Sequence, residues 1–177
     1  MRRFAFWTLF AVTMALYGTI LFWSLPHIAA EAGGLVPFDA RPFGYSFADV
    51  QTFLAALSPE GVAFYHYPQH LLDLFYPPLM SLMLFFAIAA LLPRRLGYWR
   101  WALALIAWPS AIFDLLENAG VDRMLDAGPA AVTQPLVATA NLWTTLKADL
   151  TSVAMLILLL LLIWRACATL IGRRRAA

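Results

Sequence analysis

Residues 71–92 read LLDLFYPPLMSLMLFFAIAALL, with Asp73 as the one charge among them. A helix crossing a hydrocarbon core of about 30 Å needs about 20 predominantly apolar residues. This run supplies them before Pro93 ends it. Three other runs qualify. Residues 4–25 carry no charge and stop at Pro26, and residues 101–119 carry Asp114 and Glu117 near their end. The last apolar block, 150–164, is too short alone and recruits the turn before it, giving a span over 143–165 that draws in Lys147 and Asp149. Only helices and closed barrels satisfy their backbone polar groups in lipid, and these runs are too long for strands. The predicted fold is all-α, a four-helix transmembrane bundle forming a single membrane domain over residues 1–177.

Composition agrees. Of 177 residues, 63% are hydrophobic and 12% charged, with mean hydropathy +0.75. Soluble domains carry about 25% charged residues, so a soluble globule is excluded. Disorder needs high charge and few aromatics, whereas 15% of this chain is aromatic. A single cysteine, Cys167, rules out a disulfide scaffold. A net charge of +2 gives no reason to expect a nucleic-acid partner.

The few charges are sorted. Arg2, Arg3, Arg94, Arg95, Arg100, Arg165, Arg173, Arg174 and Arg175 flank the spans on one side, nine of the twelve basic residues. The positive-inside rule makes that side cytoplasmic. Both termini are then cytoplasmic, the chain is a multi-pass inner-membrane protein, and the long loop is periplasmic. The segment Ala30-Glu31-Ala32 resembles a signal-peptide cleavage site, but the apolar run before it exceeds the 7–15 residues of a signal h-region. It is read as a retained anchor.

Two outer loops follow, 26–69 and 120–141. In the first, Ser46 and Asp49 stand in capping-box relation. Phe47, Val50, Phe53, Leu54 and Leu57 continue at helical spacing, which predicts a short amphipathic helix lying on the membrane or capping the bundle. Phe64, Tyr65 and Tyr67 read as an interfacial aromatic belt. Pro77-Pro78 and Pro109 predict kinks.

At 1.5 Å per residue, depth can be counted from the basic end of each span. Asp73 stands about 28 Å along its helix, Asp114 about 20 Å, Glu117 about 24 Å, Lys147 about 26 Å and Asp149 about 22 Å. Three helices thus place ionisable groups in one layer near the outer boundary. Asp114, Glu117 and Asn118, at i, i+3 and i+4, share a face. Lys147 and Asp149 point about 200° apart, which assigns Lys147 to the third-span carboxylates and Asp149 elsewhere. His70 and Asp73 share a face, with His66 a turn earlier. Such intramembrane charges normally face the bundle and pair, and an interhelical ion pair alone is also ordinary structural glue.

This layer is the candidate site. In a binding role, Asn118, Lys147, Asp149, His70 and Tyr65 line it; in an enzyme, Asp73, Asp114 and Glu117 are the acid and base residues. His66, His70 and Asp73 are weak metal candidates, and no metal or cofactor is expected. A proton path is disfavoured because no ionisable residue continues toward the basic side.

Size and topology resemble the lipoprotein signal peptidases. Residues 118–123, Asn-Ala-Gly-Val-Asp-Arg, carry one residue more than that family's Asn-x-x-Asp-Arg stretch, so no catalytic roles transfer. The plan also resembles four-span sterol- and amphiphile-binding proteins with acidic pockets, a likeness of architecture only. The expected function is binding of a lipid or amphiphile in an outer-leaflet polar pocket, or service as an accessory subunit of a membrane complex. Its partners would be membrane lipids or a membrane protein. The alternative is an intramembrane acid/base hydrolase or isomerase acting on a lipid-borne substrate.

Overall fold

A computed structural model of the chain describes residues 3–176, with side chains described over 4–171. Arg2 lies outside the described residues, as do the side chains of Arg3, Arg173, Arg174 and Arg175. The described regular structure is helical throughout, and four helices are long and apolar enough to cross a membrane. The chain runs α1 (Phe4–Glu31), α2 (Phe47–Ala56), α3 (Pro59–Leu91), α4 (Trp99–Ala131) and α5 (Gln134–Ala176).

Three of the helices carry local irregularities near prolines. Pro26 does not end α1, contrary to the expected stop. A wide turn over Ile20–Ser24 precedes it, and the proline occupies the opening of the next helical segment, Leu25–Glu31. A missing N–H costs nothing there. In α3 the break falls at Tyr67, whose backbone is extended at φ −157°, ψ 124°. Pro68 follows it, and a residue before proline is pushed out of helical geometry. Pro77 and Pro78 instead lie inside an uninterrupted helix, His70–Leu91. In α4 a tight turn at Leu105–Ala107 leads into Pro109.

The segment 120–141, expected as a loop, is helical except at Gly128, Val132 and Thr133. Gly120, Val121, Met124 and Leu125 continue the buried stripe of α4, while Asp122, Arg123 and Asp126 form its outward face. Charges that read as loop are the polar side of an amphipathic helix. Gly128, at φ +67°, and Pro129 then end the regular helix, and α5 returns directly alongside. The two helices approach closely where a Cβ on Gly120 would stand 2.9 Å from that of Ala140. Small residues permit such contact between membrane helices.

Ser46 caps α2 with a complete capping box: its hydroxyl accepts the Asp49 N–H at 3.2 Å and the Asp49 carboxylate accepts the Ser46 N–H at 2.8 Å. Val50, Phe53 and Leu54 are buried, and they pack with Ile28, Phe38, Tyr65, Val121, Met124 and Val137 in one cluster at the acid-rich end. Burying such side chains is worth about 1.5–3 kcal/mol each, so this cluster anchors the connecting chain over the helix ends. Smaller clusters around Leu84 and Ala154, and around Ile88 and Ala104, hold the middle and the basic end. There Arg165 Nε donates to the Leu91 carbonyl at 3.1 Å, satisfying the last turn of α3.

Candidate functional site

The core of the site is built by α4 and α5. On α4, Asp114, Glu117 and Asn118 share a face, and all are buried or half-buried. On α5, Thr144 and Lys147 are three residues apart and face them. Lys147 Nζ lies 2.9 Å from Asp114 Oδ1 and pairs also with Glu117 Oε2. Thr144 Oγ1 donates to Glu117 Oε1 at 2.6 Å, and Asn118 Nδ2 donates to Asp114 Oδ2 at 3.2 Å. Glu117 is wholly buried. The Asn118 carbonyl oxygen is buried with no hydrogen-bond partner among the described residues.

A second group adjoins it from α3, α1 and the loop between α1 and α2. Asp73 is buried and accepts from Gln69 Nε2 at 2.8 Å, while Gln69 Oε1 accepts in turn from the Ser24 hydroxyl. Tyr65, also wholly buried, donates to Asp39 Oδ2 at 2.6 Å and accepts the Phe38 N–H at 3.2 Å. Asp39 sits on a short helical turn, Phe38–Ala40, within electrostatic reach of Asp73, Asp114, Glu117 and Lys147. Tyr45, from the same loop, places its hydroxyl 3.3 Å from Thr144 Oγ1. Burial pushes the Tyr45 hydroxyl well above its ordinary range, against the opposing hydrogen bond from Thr144.

The structure therefore gathers Asp73, Asp114, Glu117, Asn118, Lys147 and Tyr65. Asp149 is exposed on α5 and outside the group; helix geometry already turns it away from Lys147. His70 joins a different set. His66 Nδ1 and His70 Nδ1 lie 2.9 and 2.8 Å from Asp122 Oδ1, and Asp73 is not among the three.

Residues missed at the sequence level are Ser24, Asp39, Tyr45, Gln69, Asp122 and Thr144. Two had readable signals, because Gln69–Asp73 and Thr144–Lys147 are i, i+4 and i, i+3 pairs on their helices. Asp39, on an isolated helical turn, and Tyr45 lie in the connection between α1 and α2, where spacing carries no such information.

At the basic end a largely apolar cleft of about 570 Å³ opens between α1, α3, α4 and α5. Phe6, Trp7, Phe10, Phe86 and Leu158 line it, and Arg94 and Arg100 contribute the cations. An adjoining opening of about 500 Å³ is bordered by the same two arginines with Tyr98 and Trp101. Neither opening is lined by residues of the acid-rich layer.

No protein-family model, curated protein or solved structure matches the chain. The chemistry of the layer is that of an acceptor-rich surface. Asp39, Asp73, Asp114 and Glu117 stand with a single lysine, bonded to Asp114 and Glu117, a formal balance of −3 when all are ionised.

Proposed function

We propose that the chain is a multi-pass inner-membrane protein, with both termini cytoplasmic, that binds the polar head of a lipid or other amphiphile in its outer-leaflet half. The observation that carries this reading is the excess of buried acceptors over donors around Lys147, with the Asn118 carbonyl left unmade. Intramembrane ionisable groups are costly and by default mark a function. An excess of acceptors is complemented by a head group that brings donors, either an ammonium or several hydroxyls. The aromatic and aliphatic flanks of α1 and α3, exposed along Phe22, Trp23, Leu71, Leu74 and Phe75, suit the chains of such a molecule.

Ligand-induced stabilisation tests this. A ligand that binds only the folded protein stabilises it by about 2.7 kcal/mol at a hundredfold excess over Kd. Purified chain in mild detergent is heated with lipids of matched acyl chains and different heads. Heads with an ammonium or several hydroxyls should raise Tm in the wild type, and much less in Asp73→Asn or Asn118→Leu. Equal shifts for every head group would overturn the reading.

A second reading is favoured by one feature of the layer. Asp73 is held by an amide alone, whereas Asp114 and Glu117 share Lys147. Two carboxylate environments side by side are what acid and base roles require. On that reading Asp114→Asn and Glu117→Gln abolish conversion of a lipid-borne substrate while the protein remains folded.

A further inference from the structure

Beside the acid-rich layer, and independent of the lipid reading, two histidines and an aspartate converge. His66 lies in the irregular turn of α3, His70 begins its regular part, and Asp122 projects from the outward face of α4. Both imidazoles direct Nδ1 at the same oxygen, Asp122 Oδ1, at 2.9 and 2.8 Å. One donor atom from each of the three lies within 4.8 Å of the others. His66 and His70, four residues apart across the extended backbone at Tyr67, stand at a ring separation of 6.1 Å.

We propose that His66, His70 and Asp122 form a binding site for a divalent cation of the zinc class. Two imidazoles and a carboxylate are the donor set of three-ligand zinc sites, which keep a fourth position for water or substrate. Zn–N and Zn–O bonds of about 2.1 Å set tetrahedral donors about 3.4 Å apart. The present separations reach that with a small opening of the side chains. Asp126, one turn beyond Asp122, places Oδ1 3.5 Å from His66 Nε2. It is the outer carboxylate that typically orients a metal-bound imidazole. His70 Nε2 is buried with no hydrogen-bond partner among the described residues. Access is open from one side, since the His66 and Asp122 side chains are 37% and 42% exposed while His70 is 14% exposed.

The test is Co²⁺ titration of the full chain, tag removed and stripped with chelator, followed by the visible ligand-field band. The expected result is one Co²⁺ per chain, with the band abolished by Zn²⁺. His66→Gln, His70→Gln and Asp122→Asn should each weaken binding at least tenfold, and Asp126→Asn about tenfold, as loss of an orienting carboxylate does. His27→Gln should change nothing, since His27 stacks on Phe64 outside the group. Elution profile and Tm confirm that each variant is folded; His66 is exposed, so its variant decides if the others fail to fold. Absence of the band at one equivalent, or equal affinity in wild type and His66→Gln, would overturn the proposal and leave only hydrogen bonds to Asp122.

Discussion

The side-chain oxygen of Asn141, on α5, accepts the backbone N–H of Tyr45 at 2.7 Å. This bond fastens the long connection between α1 and α3 to the last helix, directly above the Thr144–Glu117 hydrogen bond. Asp39 and Tyr45 reach the acid-rich layer from that connection, so the layer depends on its path.

Gly44 is where that path is most constrained. Its φ of +86° favours glycine, and a Cβ there would fall on the Asn141 amide. Gly44→Ala should therefore cost about 1–3 kcal/mol from backbone strain, plus displacement of Asn141. Gly33→Ala, at φ +64° with open space around it, should incur the strain alone. Thermal unfolding in detergent should show the lower Tm for Gly44→Ala.

Breaking the Lys147 pairs should be severe. Removing one partner of a buried ion pair costs about 3–5 kcal/mol. Lys147→Met would leave Asp114 and Glu117 facing each other without a cation. Membrane accumulation of that variant should fall sharply. Adding Glu117→Gln should recover part of it, and adding Asp114→Asn as well should recover more. Normal accumulation of Lys147→Met would show that the pairs contribute little.

Two groups outside the spanning helices give opposite pH responses. Hydrogen bonds from the Ser46 hydroxyl and N–H hold Asp49 below the usual carboxylate range. Its contribution is present above the unfolded pKa of about 3.9 and lost as pH falls through the lower folded value. Tyr45 is raised by burial. Its contribution is intact below the unfolded value of about 10 and lost as pH rises beyond it. The Tm gap between wild type and Asp49→Asn should close in acid, and that between wild type and Tyr45→Phe should close in alkali.

Most of the ion-paired core could be read from the chain because helices have a fixed rise and turn. Those constants alone put Asp114, Glu117 and Lys147 at one depth and turn Asp149 away. The same reasoning failed where helical geometry was broken or unrecognised. Asp122, Arg123 and Asp126 looked like a loop because their polarity outweighed the apolar stripe on the other side of the same turns. His66 and His70, four residues apart, were legible as a pair, but Asp122 as their partner was not, since that needs the helical state of residues 120–127. Asp39 enters the layer through tertiary packing of the connection between α1 and α2, which no local period encodes.

If the acid-rich layer receives a polar head group, native mass spectrometry of the chain released from mild detergent should detect the bound molecule. The wild-type species should carry an amphiphile whose head bears an ammonium or several hydroxyls. Asp73→Asn and Asn118→Leu should lose that adduct while keeping their elution profile. A wild-type chain that retains no such molecule, or variants that retain it equally, would show that the layer does not receive the head group.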